Sequence, residues 1–166
     1  MTSVHAAASD FSKTGGRACD DHGGMDRLHS TNYFDTFIAV APDSTADGPT
    51  VPPARPEPSV AERTFTMISE QPYRHTSDDV IFTVWADRRG IPESDRDAAR
   101  ADFFSKGQPC LRSSDLGKRY GWGVHSDAEG RVALVGLGSA EYETLAAGAT
   151  PTGGPVSVTR AMRSKR

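Results

Sequence analysis

Six prolines crowd the stretch from residue 42 to residue 58, at Pro42, Pro49, Pro52, Pro53, Pro56 and Pro58. Proline has no amide hydrogen to donate and holds φ near about −65°, so neither a helix nor an interior strand can run through this stretch. The chain is therefore cut in two. The segment before it must finish its own element, the segment after it must nucleate afresh, and an extended, polyproline-like crossing joins them. A surface connection is the expected role, with docking of a proline-binding partner as the rival reading.

Before the prolines, Phe34, Thr36, Ile38 and Val40 alternate with Tyr33, Asp35, Phe37 and Ala39. This β-branched and aromatic run predicts a central strand, stopped at Pro42. After the prolines, Ser59-Val60-Ala61-Glu62 has the spacing of a capping box, and Ala61, Phe65 and Ile68 share a helical face, which predicts a helix to about Gln71. Thr76 to Asp79 offers a second cap, and Val80, Ile81, Val84, Trp85 and Arg88 recur at helical spacing until Gly90. The β-branched residues from Val80 to Val84 make a strand the competing reading. Pro92 suits the first turn of a third helix through Phe103 and Phe104, closed by Lys106 and Gly107. Arg119 to His125 and Arg131 to Leu137 then read as a hairpin turning at Gly130. Ser139 opens a short helix ending at Gly148, and Val156, Val158 and Met162 alternate as an edge strand.

These elements predict one α+β domain over residues 30–166, with an antiparallel sheet of about four strands and the helices of residues 59–106 packed on one face. Residues 1–29 show no periodicity that would bury a face, and are expected to form a disordered extension in which Met25 could start a shorter chain. Cys19, Asp20, Asp21, His22 and His29 match no tetrahedral metal spacing, and the domain adds only His75, His125 and Cys110 as soft ligands. No metal and no cofactor is expected. The two cysteines, Cys19 and Cys110, fall in regions of opposite character, so reduced thiols are expected in place of a disulfide framework. With no apolar run near the roughly 20 residues of a membrane span and no secretory leader, the expected location is the cytoplasm.

Charge is distributed unevenly. Residues 1–102 hold 10 Lys/Arg and 17 Asp/Glu, a net of −7, and residues 103–166 hold 9 and 5, a net of +4. The basic half contains the densest chemistry, from Lys106 to Gly136. There is no glycine-rich loop ending in Gly-Lys-Ser/Thr, which disfavours nucleotide hydrolysis. An acidic chain without a nucleic-acid module disfavours that partner too, although Arg160, Arg163, Lys165 and Arg166 could contact phosphates. No pattern specifies an oligomeric state.

Several blocks resemble a family of short, uncharacterised bacterial and fungal proteins, a domain of unknown function. They are Asn32 with Thr36-Phe37-Ile38, Pro72-Tyr73 with Thr76-Ser77-Asp78, Phe104 to Arg112, Lys118 to Gly123, and Ala161 to Arg166. The resemblance covers about residues 30–166, leaves residues 1–24 outside, and implies no activity.

On a strand from Lys118 to His125, period two places Arg119, Gly121, Gly123 and His125 on one face. Two glycines at i and i+2 signify a close approach to bare backbone, by a packed element or by a ligand. The leading expectation is a binding site for a small anionic ligand or partner at Arg112, Lys118, Arg119, Gly121, Gly123 and His125. A second is a thiol enzyme, in which cations near Cys110 favour its thiolate, His125 serves as base and Arg112 steadies an anion. A third is a structural or interaction domain without catalysis.

Overall fold

The computed structural model describes residues 29–164, so expectations about residues 1–28, Lys165 and Arg166 lie outside the described residues. Four strands form one sheet: β1 (Thr36–Ala39), β2 (Trp122–Ser126), β3 (Val132–Gly136) and β4 (Ser157–Arg160), in the order β3-β2-β1-β4. Among the described residues five α-helices accompany them: α1 (Val60–Glu70), α2 (Ser77–Arg88), α3 (Arg96–Phe103), α4 (Asp115–Lys118) and α5 (Ala140–Ala146). The α+β class, the single domain and the central place of β1 all hold. The sheet is mixed, not purely antiparallel, because β4 runs parallel to β1. The cause is the connection: α5 carries the chain from β3 at one edge to β4 at the other, and a crossover of that kind returns the chain in its original direction.

Local chemistry explains the helices. Ser59 Oγ accepts the Glu62 amide at 3.1 Å and starts α1. Thr76 and Asp79 cap α2 reciprocally, at 3.1 and 3.0 Å, and this capping box overrides the β-branched run that favoured a strand. Val80, Phe82, Val84 and Ala86 are all buried because α2 is enclosed on several sides. The third helix begins as a 3-10 turn, Glu93–Asp95, before α3.

Two cores lie on opposite faces of the sheet. Ile38 and Val124 pack with Ile68 of α1 and with Val80 and Val84 of α2. Phe37, Ala39 and Val135 pack with Tyr142 and Leu145 of α5, so helices cover both faces instead of one. Burying a Phe such as Phe37, which is fully enclosed, contributes roughly 1.5–3 kcal/mol. A third apolar cluster, Phe82, Ala86, Phe103 and Phe104, joins α2 to α3.

The expected strand from Arg119 begins late. Ser114 Oγ caps the Leu116 amide at 3.1 Å, which makes Asp115–Lys118 a helical turn, and Gly121 then takes φ +76° before β2 starts at Trp122.

Candidate functional site

Residues 104–114 wrap the ends of the α1–α2 pair. Gln108 Nε2 donates to the Phe103 carbonyl at 2.7 Å, Cys110 and Leu111 after Pro109 are buried, and a 3-10 turn at Leu111–Ser113 leads into the cap of α4. This wrapping leaves a cleft of about 270 Å³ among α1, α2, the end of α3 and the turn. Its walls are largely apolar, with Ile81, Val84, Trp85, Phe103 and Leu111 prominent among them. The Trp85 and Phe103 rings meet at 4.7 Å, and the Arg89 guanidinium lies 4.6 Å from the centre of the Trp85 ring.

Two polar side chains in the lining stand out. Thr64 of α1 is only 4% exposed, and its hydroxyl has no hydrogen-bond partner among the described residues. No described side-chain oxygen or nitrogen is both sealed and unpaired, so that hydroxyl opens into the cleft. Arg88, in the last turn of α2, is the one charged side chain in the lining, and it forms no ion pair among the described residues. A second cavity of about 360 Å³ lies beside Asp78, Asp97 and Arg100, and two of these three side chains are already paired within the fold. Asp78 accepts from Ser30 Oγ, the Thr31 amide and Thr31 Oγ1 at 2.7–2.9 Å, and Arg100 pairs with Asp79 at 3.0 Å.

The residues singled out in the sequence are dispersed. Cys110 lies in the core on the α1–α2 side, with its Sγ 3.8 Å from the Tyr33 hydroxyl. It is disulfide-bonded, contrary to the expectation of a reduced thiol, and the chain's other cysteine, Cys19, lies outside the described residues. His125 pairs in register with Phe37 and so faces the α5 side. The sheet separates it from Cys110, and no dyad forms between them.

His125 has a different partner. Its Nδ1 lies 2.8 Å from the Tyr73 hydroxyl, and the rings meet edge to face at 5.7 Å. Burial pushes the imidazole below its usual pKa, opposed by the charges of Asp127, Glu141 and Asp35. Burial first, then Glu141 and Asp127, pushes the Tyr73 phenol up. Tyr73 and Asp35 are the two non-glycine residues with positive φ among those described, at +59° and +46°. The backbone around Tyr73 is fixed to the sheet edge, since its amide donates to the Val132 carbonyl and the Val132 amide donates to the His75 carbonyl, both at 2.9 Å.

Arg112 serves the fold: its Nε donates to the Arg160 carbonyl at 2.7 Å, and its own carbonyl accepts the Met162 amide at 2.8 Å. Lys118 ends α4, and Arg119, 68% exposed, lies 3.9 Å from Asp115. The close approach inferred from the two glycines is real, and the chain itself makes it. A Cβ at Gly121 would strike the Gly48 carbonyl, and one at Gly123 would lie 2.5 Å from the Phe37 ring. Sequence reasoning placed Trp85 and Arg88 at helical spacing but drew no site from them. An arginine continuing an apolar stripe was the available signal for the cleft, while Thr64 gave none.

A family model described only as a family of unknown function, DUF6157, matches residues 28–166. The chain belongs to DUF6157. The match spans every described residue, and so includes the cleft and the Tyr73–His125 pair. No curated protein and no solved structure matches the chain. Among the described residues no helix is long and apolar enough to cross a membrane, and no three His, Cys, Asp or Glu side chains converge as metal ligands.

Proposed function

We propose that this DUF6157 member is a small-molecule binding protein whose site is the cleft between α1, α2 and the Gln108–Ser114 turn. The observation that carries the reading is the combination of an open apolar cavity with a nearly buried, unpaired hydroxyl at Thr64. Ligand sites are typically concave and apolar, with a few polar groups fixing orientation. At about 270 Å³ the cleft falls just short of the roughly 300–1,000 Å³ of drug-sized sites, which suits a molecule of one ring or a short branched chain. This moves the expected binding surface away from Arg112, Lys118, Arg119, Gly121, Gly123 and His125, of which Arg112, Gly121, Gly123 and His125 are engaged within the fold. The thiol-enzyme reading gains no support from a Cys110 and a His125 on opposite sides of the sheet.

Fragment screening by amide NMR on the full chain tests the proposal. Shifts are expected to concentrate at Thr64, Trp85, Arg88 and Leu111, and Leu111→Trp, which fills the cleft, is expected to suppress them. Hits that cluster elsewhere, or that survive Leu111→Trp in a folded variant, would overturn it.

A further inference from the structure

We infer that the ligand of this cleft is a small carboxylate, its apolar body lying against Trp85 and Phe103 and its acid group met by Arg88 and the Thr64 hydroxyl. The inference rests on the cleft being a ligand site and adds the chemical class.

Thr64 is the first support. A threonine inside a helix can turn its hydroxyl back to the carbonyl four residues earlier, as the part-exposed Thr144 does to Ala140 at 3.0 Å. Thr64 makes no such bond, and valine would fill its volume without leaving a hydroxyl unpaired. The missing partner is therefore supplied from the cleft. Arg88 is the second support. Its neighbours are occupied: Arg96 holds Asp87 at 2.8 Å, Arg100 holds Asp79, and Arg89 covers Trp85. A cation in the last turn of α2 also complements the helix dipole, which explains a positive charge there but not the unpaired hydroxyl on a different helix.

The two groups belong to one end of the cleft. A six-residue connection makes α1 and α2 antiparallel neighbours, so the beginning of α1 lies beside the end of α2. Thr64 is one turn in from Val60, and Arg88 is in the last turn. Arginine donates only and threonine donates readily, so the pair selects an acceptor-rich anion and rejects an amine. Trp85 and Phe103 supply the apolar wall that a bare inorganic anion would not need.

Calorimetric titration of the full chain with benzoate, phenylacetate and isovalerate, each beside its amide and the matching amine, tests the class. At least one acid is expected to bind about tenfold tighter than its amide, with the amines undetected, as charge-assisted hydrogen bonds require. Thr64→Val and Arg88→Met are each expected to weaken that acid about five- to tenfold and to leave the amide within about twofold. Acid and amide binding equally at the cleft would overturn the carboxylate assignment while leaving the site standing. Acids that bind but ignore both variants would overturn it as well. If none of the probes binds and fragments also fail to shift the cleft residues, the site and the class fall together.

Discussion

Under α5, the Phe37 ring is fully enclosed and meets Tyr142 edge-on at 5.0 Å, whereas under the α1–α2 pair the packing stops short beside Trp85 and leaves a cleft. Both regions are rich in aromatic rings, so composition does not separate them. The difference lies in what closes each one. The α5 face is sealed by neighbours in register, with Gly123 leaving room for Phe37 and the Tyr142 hydroxyl accepting the Val40 amide at 2.9 Å. The other region is bordered by an irregular segment that includes Pro109 and the 3-10 turn at Leu111–Ser113, and such a segment need not fill the space beneath it.

Truncation gives the widest contrast. Phe37→Ala should cost about 3–5 kcal/mol in urea unfolding, and Trp85→Ala only about 1–2 kcal/mol because its ring already borders open space. Similar costs for the two would mean that the cleft is packed in solution and that the comparison fails.

Gly123→Val probes the sealed face from the opposite direction, by adding volume. The new side chain would meet the Phe37 ring and the Ile38 carbonyl, so the variant should lose about 3 kcal/mol or more, against about 1 kcal/mol for Ala133→Val on the neighbouring strand. Equal, small losses would show that Phe37 can swing aside.

The smallest effect expected is a pH dependence belonging to the α5 face. Burial lowers the folded-state pKa of His125, so the unfolded chain binds a proton more readily than the folded one. The neutral imidazole thus contributes stability that is complete above the unfolded value of about 6.5 and is lost as pH falls through the lowered, folded value. Unfolding midpoints measured from about pH 7.5 down to about pH 5 should fall less steeply in His125→Gln than in the parent. Parallel curves would show that Asp127, Glu141 and Asp35 cancel the cost of burial.

The sequence revealed elements wherever the chemistry was local. Caps at Ser59 and Thr76, the glycine turn at Gly130 and the short helix after Ser139 each lie within a few residues of the structure they specify. Period two failed from Lys118 to Gly121 because Ser114, outside the apparent strand, caps a helical turn that ends at Lys118, and Gly121 then takes a positive φ before β2 begins. The direction of β4 was hidden because it depends on where α5 crosses. The cleft was hidden for a related reason: Thr64, Arg88, Phe103 and Leu111 come from four segments with no common periodicity. His125 and Cys110 looked like neighbours because they share one segment, yet only the register of β2 against β1 reveals which face His125 occupies.

The order in which strands leave the ribosome has its own consequence. Among the described residues β1 is the first strand made, and it lies inside the sheet, yet its partners β2 and β4 begin at Trp122 and Ser157. Throughout most of synthesis, a largely apolar strand, Thr36-Phe37-Ile38-Ala39, waits with both hydrogen-bonding edges open, a state that invites pairing with another nascent chain. The prolines that come directly after β1, from Pro42 to Pro58, prevent that strand from lengthening and flank it with residues unable to extend a ladder. A stretch that first reads as a divider between two halves of the fold thereby acts as a guard during translation, keeping the central strand short until its partners arrive.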